Sequence, residues 1–282
     1  MAIGQRKTVQ YKSDEKIMRN TETKTMKQLN FRLIPENSKV GYYCYQPKKV
    51  EHVLVAVHGI SRNAEEIIRS FKDLAEQHNV LVIAPVFRKD FAKDYQRLGR
   101  KDKGPRSDYQ LLAMLKDAKK HFSLQFDKFH MFGFSAGAQF VHRFAFAHPN
   151  LVKKSVLVAA GWYTFPRVKD DYPYGLKLND EFTDISFSLQ RILRLQFKVF
   201  VGDKDLQRDS SLNTDEFLDK KQGKTRVERA QKWRKAMNNK MKKHGIENTV
   251  EIENLEGIKH QFIDGVENSE LHTKVFDWIL EK

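Results

Sequence analysis

A serine becomes a nucleophile only where its hydroxyl is lifted clear of the backbone and a base can take its proton. Gly133-Phe134-Ser135-Ala136-Gly137 supplies such a position. The apolar run Phe129-His130-Met131-Phe132 precedes it, and residues 138–145 follow with helical character. A G-x-S-x-G turn between a strand and a helix is a nucleophile elbow. The serine at its tip takes strained backbone angles, so the residues two before and two after it must be small. Both are glycine here, and Ala138 lets the helix stay close to the strand. The first amides of that helix then point at whatever binds beside the hydroxyl.

Two later loops offer the base and the acid that orients it. The apolar run 197–201 leads into Gly202-Asp203-Lys204-Asp205, and the run 249–253 leads into Leu255-Glu256-Gly257-Ile258-Lys259-His260. Loops leaving the carboxyl ends of parallel strands share one rim of a sheet, the rim at which such sheets bind ligands. Serine, acid and histidine therefore follow one another along the chain on three loops of that rim. On the residues alone Asp203 and Asp205 both fit the acid, with Asp209 a more remote third. His58-Gly59 ends a further apolar run. His58 reads as a packing and hydrogen-bonding residue, and His142 and His148 as structural residues of the elbow helix.

The elements that must position these groups alternate. Residues 26–35 and 40–45 read as an antiparallel hairpin turning at Pro35-Glu36-Asn37-Ser38. Residues 53–57, 80–84 (stopped by Pro85), 129–132, 155–160, 197–201 and 249–253 read as strands. Several are unbroken apolar runs, as in parallel strands covered on both faces. Helical patterns fall at 63–77, 107–122, 136–147, 224–243 and about 269–280. The fold class is α/β, a mainly parallel sheet with helices on both faces. Residues 87–105 read as a polar loop. Residues 161–195 are too long for an ordinary connection and read as a cap-like insertion, with Trp162, Tyr163 and Phe165 as candidates to line a substrate pocket, although plain packing within the cap accounts for the same aromatics equally well.

Bulk properties bound the partners. The chain has 282 residues and a formal charge of +15. Residues 1–25 read as a flexible basic extension and 26–282 as a single domain. The segment 224–243 carries nine Lys or Arg against Glu228 alone. A solvated helix face over Val227, Ala230, Trp233, Met237 and Met241 accounts for it; an anionic partner at this helix is the sharper alternative. No nucleic-acid motif accompanies the charge, so nucleic acid is not the expected partner. No apolar run is long enough to span a membrane. The single cysteine, Cys44, and the lack of an apolar leader lead us to expect a cytoplasmic protein.

With its elbow, the two later loops and His58-Gly59, the chain from about residue 26 onward resembles the α/β-hydrolase superfamily. The resemblance implies Asp205, three residues beyond Gly202, as the acid and His260 as the base. It also implies an oxyanion site formed by the backbone N–H groups of Ile60 and Ala136, each such donor being worth roughly 3 kcal/mol of transition-state stabilisation. The activity implied is cleavage of a carboxylic ester or thioester in a small or acyl ester substrate through an acyl-enzyme on Ser135, with no cofactor and no metal. Two other readings compete: acyl transfer by the same three residues, and a non-catalytic binding protein of this fold that works through its basic surface. The loop reads His58-Gly59-Ile60-Ser61, not the glycine run suited to bulky or tertiary esters. The serine itself argues against dehalogenases and epoxide hydrolases, which carry aspartate at that position.

Overall fold

The computed structural model describes residues 29–281. The proposed flexible extension, residues 1–25, and the first residues of the expected hairpin lie outside them. In chain order the elements are β1 (Asn30–Ile34), β2 (Asn37–Tyr45), β3 (His52–Val57), α1 (Ala64–Gln77), β4 (Val80–Val86), α2 (Ser107–His121), β5 (Phe129–Phe134) and α3 (Ala136–Ala147). They continue as β6 (Val152–Val158), α4 (Leu189–Ile192), β7 (Gln196–Gly202), α5 (Glu216–Gln222), α6 (Arg226–Lys243), β8 (Glu251–Leu255), α7 (Phe262–Ser269) and α8 (Leu271–Leu280). They build one eight-stranded sheet in the order β1-β2-β4-β3-β5-β6-β7-β8. The β1–β2 and β2–β4 pairs are antiparallel and every other pair is parallel.

Strand alternation explains why the central runs are apolar without a break. In β3, Val53, Val55 and Val57 face one core with α2, α3 and α6, while Leu54 and Ala56 face the other with α1 and α8. The two cores lie on opposite faces of the sheet, and both must be apolar for the central strands to be covered. β4 runs one residue past Pro85, which pairs with Tyr42 of β2. Pro85 is tolerated because β3 pairs β4 only as far as Ile83, so the missing N–H falls outside that ladder.

Two expectations change here. The loop 87–106 is irregular apart from a turn of 3-10 helix at Tyr95–Arg97, yet Phe87, Tyr95 and Leu98 are sealed in the core. The segment 161–195 is not a cap over the serine. Its Tyr163, Phe165, Tyr172 and Phe182 join the core on the α3 side of the sheet. It is tied to the preceding loop by Tyr172 Oη donating to the Arg97 carbonyl, by Arg106 donating to Asp184 and by the Lys101 N–H donating to Glu181.

Candidate active site

Ser135 stands between the last residue of β5 and the first of α3, at φ 54° and ψ −114°. That left-handed φ is costly for a side-chain-bearing residue and persists only where the surroundings fix it. They do so here: the Ser135 N–H donates to the Val158 carbonyl at 2.8 Å, and the Gln139 N–H donates to the Ser135 carbonyl at 3.2 Å. The flanking glycines are required by close approach. A Cβ on Gly133 would lie 2.4 Å from the carbonyl carbon of Gly137, and one on Gly137 would lie 2.2 Å from the Val57 oxygen.

His260 sits in the short connection between β8 and α7. Its ring stacks on Phe134 with centroids 5.0 Å apart. Nε2 lies 3.0 Å from Ser135 Oγ, and Nδ1 lies 2.8 Å from Asp205 Oδ2. A carboxylate only accepts, so the proton of the neutral ring sits on Nδ1 and Nε2 is free to accept from the serine hydroxyl. Three loops remote in sequence thus bring alcohol, imidazole and acid together.

The rivalry between the two acids has a geometric answer. Asp203 turns toward the neighbouring loop, where its carboxylate accepts from the Gly257 N–H at 2.8 Å. Its own N–H donates to the Leu255 carbonyl, and the Lys204 N–H donates to that of Ile258. A Cβ on Gly202 would lie 2.1 Å from the Ile258 oxygen, so glycine lets the two loops touch. Asp203 binds the histidine loop in place, whereas Asp205 reaches the histidine itself. Asp209 accepts from the N–H and hydroxyl of Ser211.

A residue not anticipated from sequence lies behind the acid. Arg226, at the start of α6, donates through Nη1 to Asp205 Oδ1 at 3.0 Å and through Nη2 to Ser211 Oγ at 2.7 Å. The side chains of Arg226 and Asp205 are both fully buried. One turn on, Arg229 is buried as well and donates to the carbonyls of Gly161, Gly223 and Asn213 and to Asp219. The reading of residues 224–243 as nine surface charges is therefore corrected: two of them are internal struts. A signal was present, because Arg226, Arg229 and Ala230 fall on the same helical stripe as Trp233, Met237 and Met241, all buried.

The loop carrying Ile60 approaches from the other side. A Cβ on Gly59 would stand 3.5 Å from the Ser135 Cβ, so the backbone passes directly beside the serine. His58 anchors it. Its Nδ1 donates to the Gly59 carbonyl at 2.8 Å, its Nε2 accepts from the Phe87 N–H at 3.1 Å, and Tyr95 Oη donates to the His58 carbonyl at 2.7 Å. Burial holds the imidazole neutral and pushes its pKa down to about 4. His142 is likewise buried between the Ala138 carbonyl and the Thr164 N–H, and His148 meets Asp108 at 2.9 Å.

A cleft of about 290 Å³ opens over the serine. Ile60, Ser61, Phe134, Ser211, His260 and Phe262 are among its walls. A broader groove lined by Tyr43, Arg62, Glu65 and Val86 shares Asn63, Glu66 and Ile263 with it. Trp162, Tyr163 and Phe165 do not line the cleft. Trp162 packs beneath Arg143 at 4.2 Å, Tyr163 stacks on Trp233, and all three are buried. Among the described residues no group of three or more His, Cys, Asp or Glu side chains is arranged to hold a metal ion, and no helix is long and apolar enough to cross a membrane.

Solved structures share this fold. A poly(3-hydroxybutyrate) depolymerase from Bordetella parapertussis superposes with a TM-score of 0.71 at 22% identity, covering 89% of this chain and 90% of its own. Poly(aspartic acid) hydrolase-1 from Sphingomonas sp. KT-1 superposes at 0.67 and 21% identity, covering 84% and 93%. The chain has the α/β-hydrolase fold. An S-formylglutathione hydrolase from Agrobacterium tumefaciens shares the fold at lower similarity, with a TM-score of 0.52 and 14% identity over 83% of this chain and 89% of its own. No protein-family model matches the sequence, and no curated protein matches it. Within the α/β-hydrolase fold the elbow, the acid loop and the histidine loop occupy the ends of β5, β7 and β8.

Proposed function

We propose that the protein is a serine hydrolase that cleaves a carboxylic ester or thioester through an acyl-enzyme on Ser135. The observation that carries this reading is the continuous relay from Ser135 Oγ to His260 Nε2 at 3.0 Å and from His260 Nδ1 to Asp205 Oδ2 at 2.8 Å, opening on a cleft. His260 takes the hydroxyl proton as Ser135 attacks the substrate carbonyl, and Asp205 stabilises the imidazolium that forms. The backbone N–H groups of Ile60 and Ala136 receive the oxyanion. The first N–H groups of a helix have no intrahelical acceptor, so that of Ala136 is available for the task. His260 returns the proton to the leaving alcohol or thiol, and then activates the water that releases the acid. No step in this sequence calls on a cofactor.

The neighbours named for polyester and poly(aspartic acid) cleavage support a hydrolytic reading over a purely binding one. Turnover of p-nitrophenyl esters of graded acyl length tests it. Acetate and butyrate esters are expected to turn over, with kcat/KM falling as the acyl chain outgrows the cleft. A folded protein that hydrolyses none of them would overturn the proposal.

A further inference from the structure

We propose that Arg226 is a positioning residue of this site, fixing the Asp205 carboxylate against His260. The inference rests on the hydrolase reading above. Asp205 has two oxygens, and the structure commits both: Oδ2 to His260 at 2.8 Å and Oδ1 to Arg226 at 3.0 Å. The carboxylate cannot rotate without breaking one of these bonds. Asp205 is also 1% exposed, and an ionised carboxylate so deeply buried is stable only with a charged or strongly hydrogen-bonding partner. His260 offers a full positive charge only once protonated. In the resting enzyme the permanent cation is the guanidinium of Arg226.

That cation meets the oxygen of Asp205 that the imidazole does not, so the carboxylate is held between two donors. The other charged and titratable groups around the pair are few. Asp209 lies 3.7 Å from Arg226 and feels the charge of His260. Arg229 lies one turn along α6 and is coupled to Arg226. Tyr163 is a phenol pushed upward by burial and then by the Asp205 charge. Lys259 precedes the histidine in the chain. None of these donates to Asp205 Oδ1. Through Nη2 the same guanidinium holds Ser211, whose side of the cleft is thereby tied to the acid.

The test is kcat and KM for p-nitrophenyl acetate in wild type, Arg226→Gln and Arg226→Lys, beside the melting temperature of each. In Arg226→Gln we expect kcat to fall about 10- to 100-fold with KM nearly unchanged. Arg226→Lys restores the charge without the fork, so kcat recovers only in part. A lowered melting temperature with unchanged kcat would make Arg226 purely structural and overturn the proposal. If Arg226→Gln does not fold, Arg226→Lys decides: reduced kcat at unchanged KM supports positioning, and wild-type kcat contradicts it. A folded wild type without esterase activity would remove the hydrolase reading first. An active wild type with an indifferent Arg226 removes the present inference alone.

Discussion

Two histidine-bearing loops at the carboxyl edge of the sheet look alike in sequence and set their imidazoles in opposite surroundings. His58 and His260 each lie beside a glycine-containing turn after a strand. His58 is sealed between Gly59, Phe87 and Tyr95, with both ring nitrogens spent on backbone groups. His260 borders the cleft, and its nitrogens face an acid and a hydroxyl. The difference lies in partners and burial, not in residue type. A histidine whose nitrogens are both bonded to backbone holds a loop; one that spans a carboxylate and an alcohol can move a proton. The loop around His58 matters to the site all the same, because it fixes the backbone of Gly59 and Ile60 beside Ser135.

The acid loop sharpens the contrast, since its two candidates are separated by a single residue. Asp205→Asn keeps the shape but removes the charge that orients and stabilises the imidazole, so kcat on an ester is expected to fall about 10⁴-fold. Asp203→Asn removes the charge but keeps an oxygen to accept from the Gly257 N–H, and is expected to lower kcat no more than about 10-fold. Steady-state kinetics on the two variants check this. Equal losses would mean that the assignment of roles between the two carboxylates is wrong.

A smaller effect concerns stability. Folded His58 takes up its proton only near pH 4 because burial disfavours the charged ring, against an ordinary value of 6.5. Below pH 6.5 the unfolded chain therefore binds more protons than the folded one. The stability His58 contributes is complete above that pH and is lost as the pH falls toward about 4. The loss amounts to about 3 kcal/mol when complete. Buried His142 is shifted in the same direction. Urea unfolding at pH 7, 5.5 and 4.5 should show a falling free energy. A flat profile would contradict the reading of His58 as a neutral buried brace.

Much of the fold was legible because strands covered on both faces must be apolar where they are covered: residues 53–57 of β3 and 80–84 of β4 are unbroken apolar runs, and β6 is apolar over its buried half, residues 156–158. The elbow was legible because close approach at Gly133 and Gly137 leaves little choice of residue. Asp203 and Asp205 both stood as candidates to meet the histidine, and Asp205 is the one that reaches it. Which of Asp203 and Asp205 turns inward depends on how the loop after β7 meets the loop at Ile258, a contact between segments more than fifty residues apart. Arg226 was hidden for a similar reason. It belongs to a run of basic residues, and only the packing of residues 203–213 over the start of α6 makes it internal. The aromatics of residues 161–195 misled because an aromatic cluster in a long connection suits a pocket lining as well as a core, and composition does not reveal which face it meets. The short helices α5 and α7 offered too few turns for a readable stripe.

Reaction of Ser135 with a fluorophosphonate probe tests the central claim most directly. The folded wild-type protein should be labelled on a single peptide containing Ser135, with labelling abolished in a folded Ser135→Ala variant and strongly slowed in His260→Ala. Absence of labelling in the folded wild type, or labelling that survives Ser135→Ala, would contradict the account.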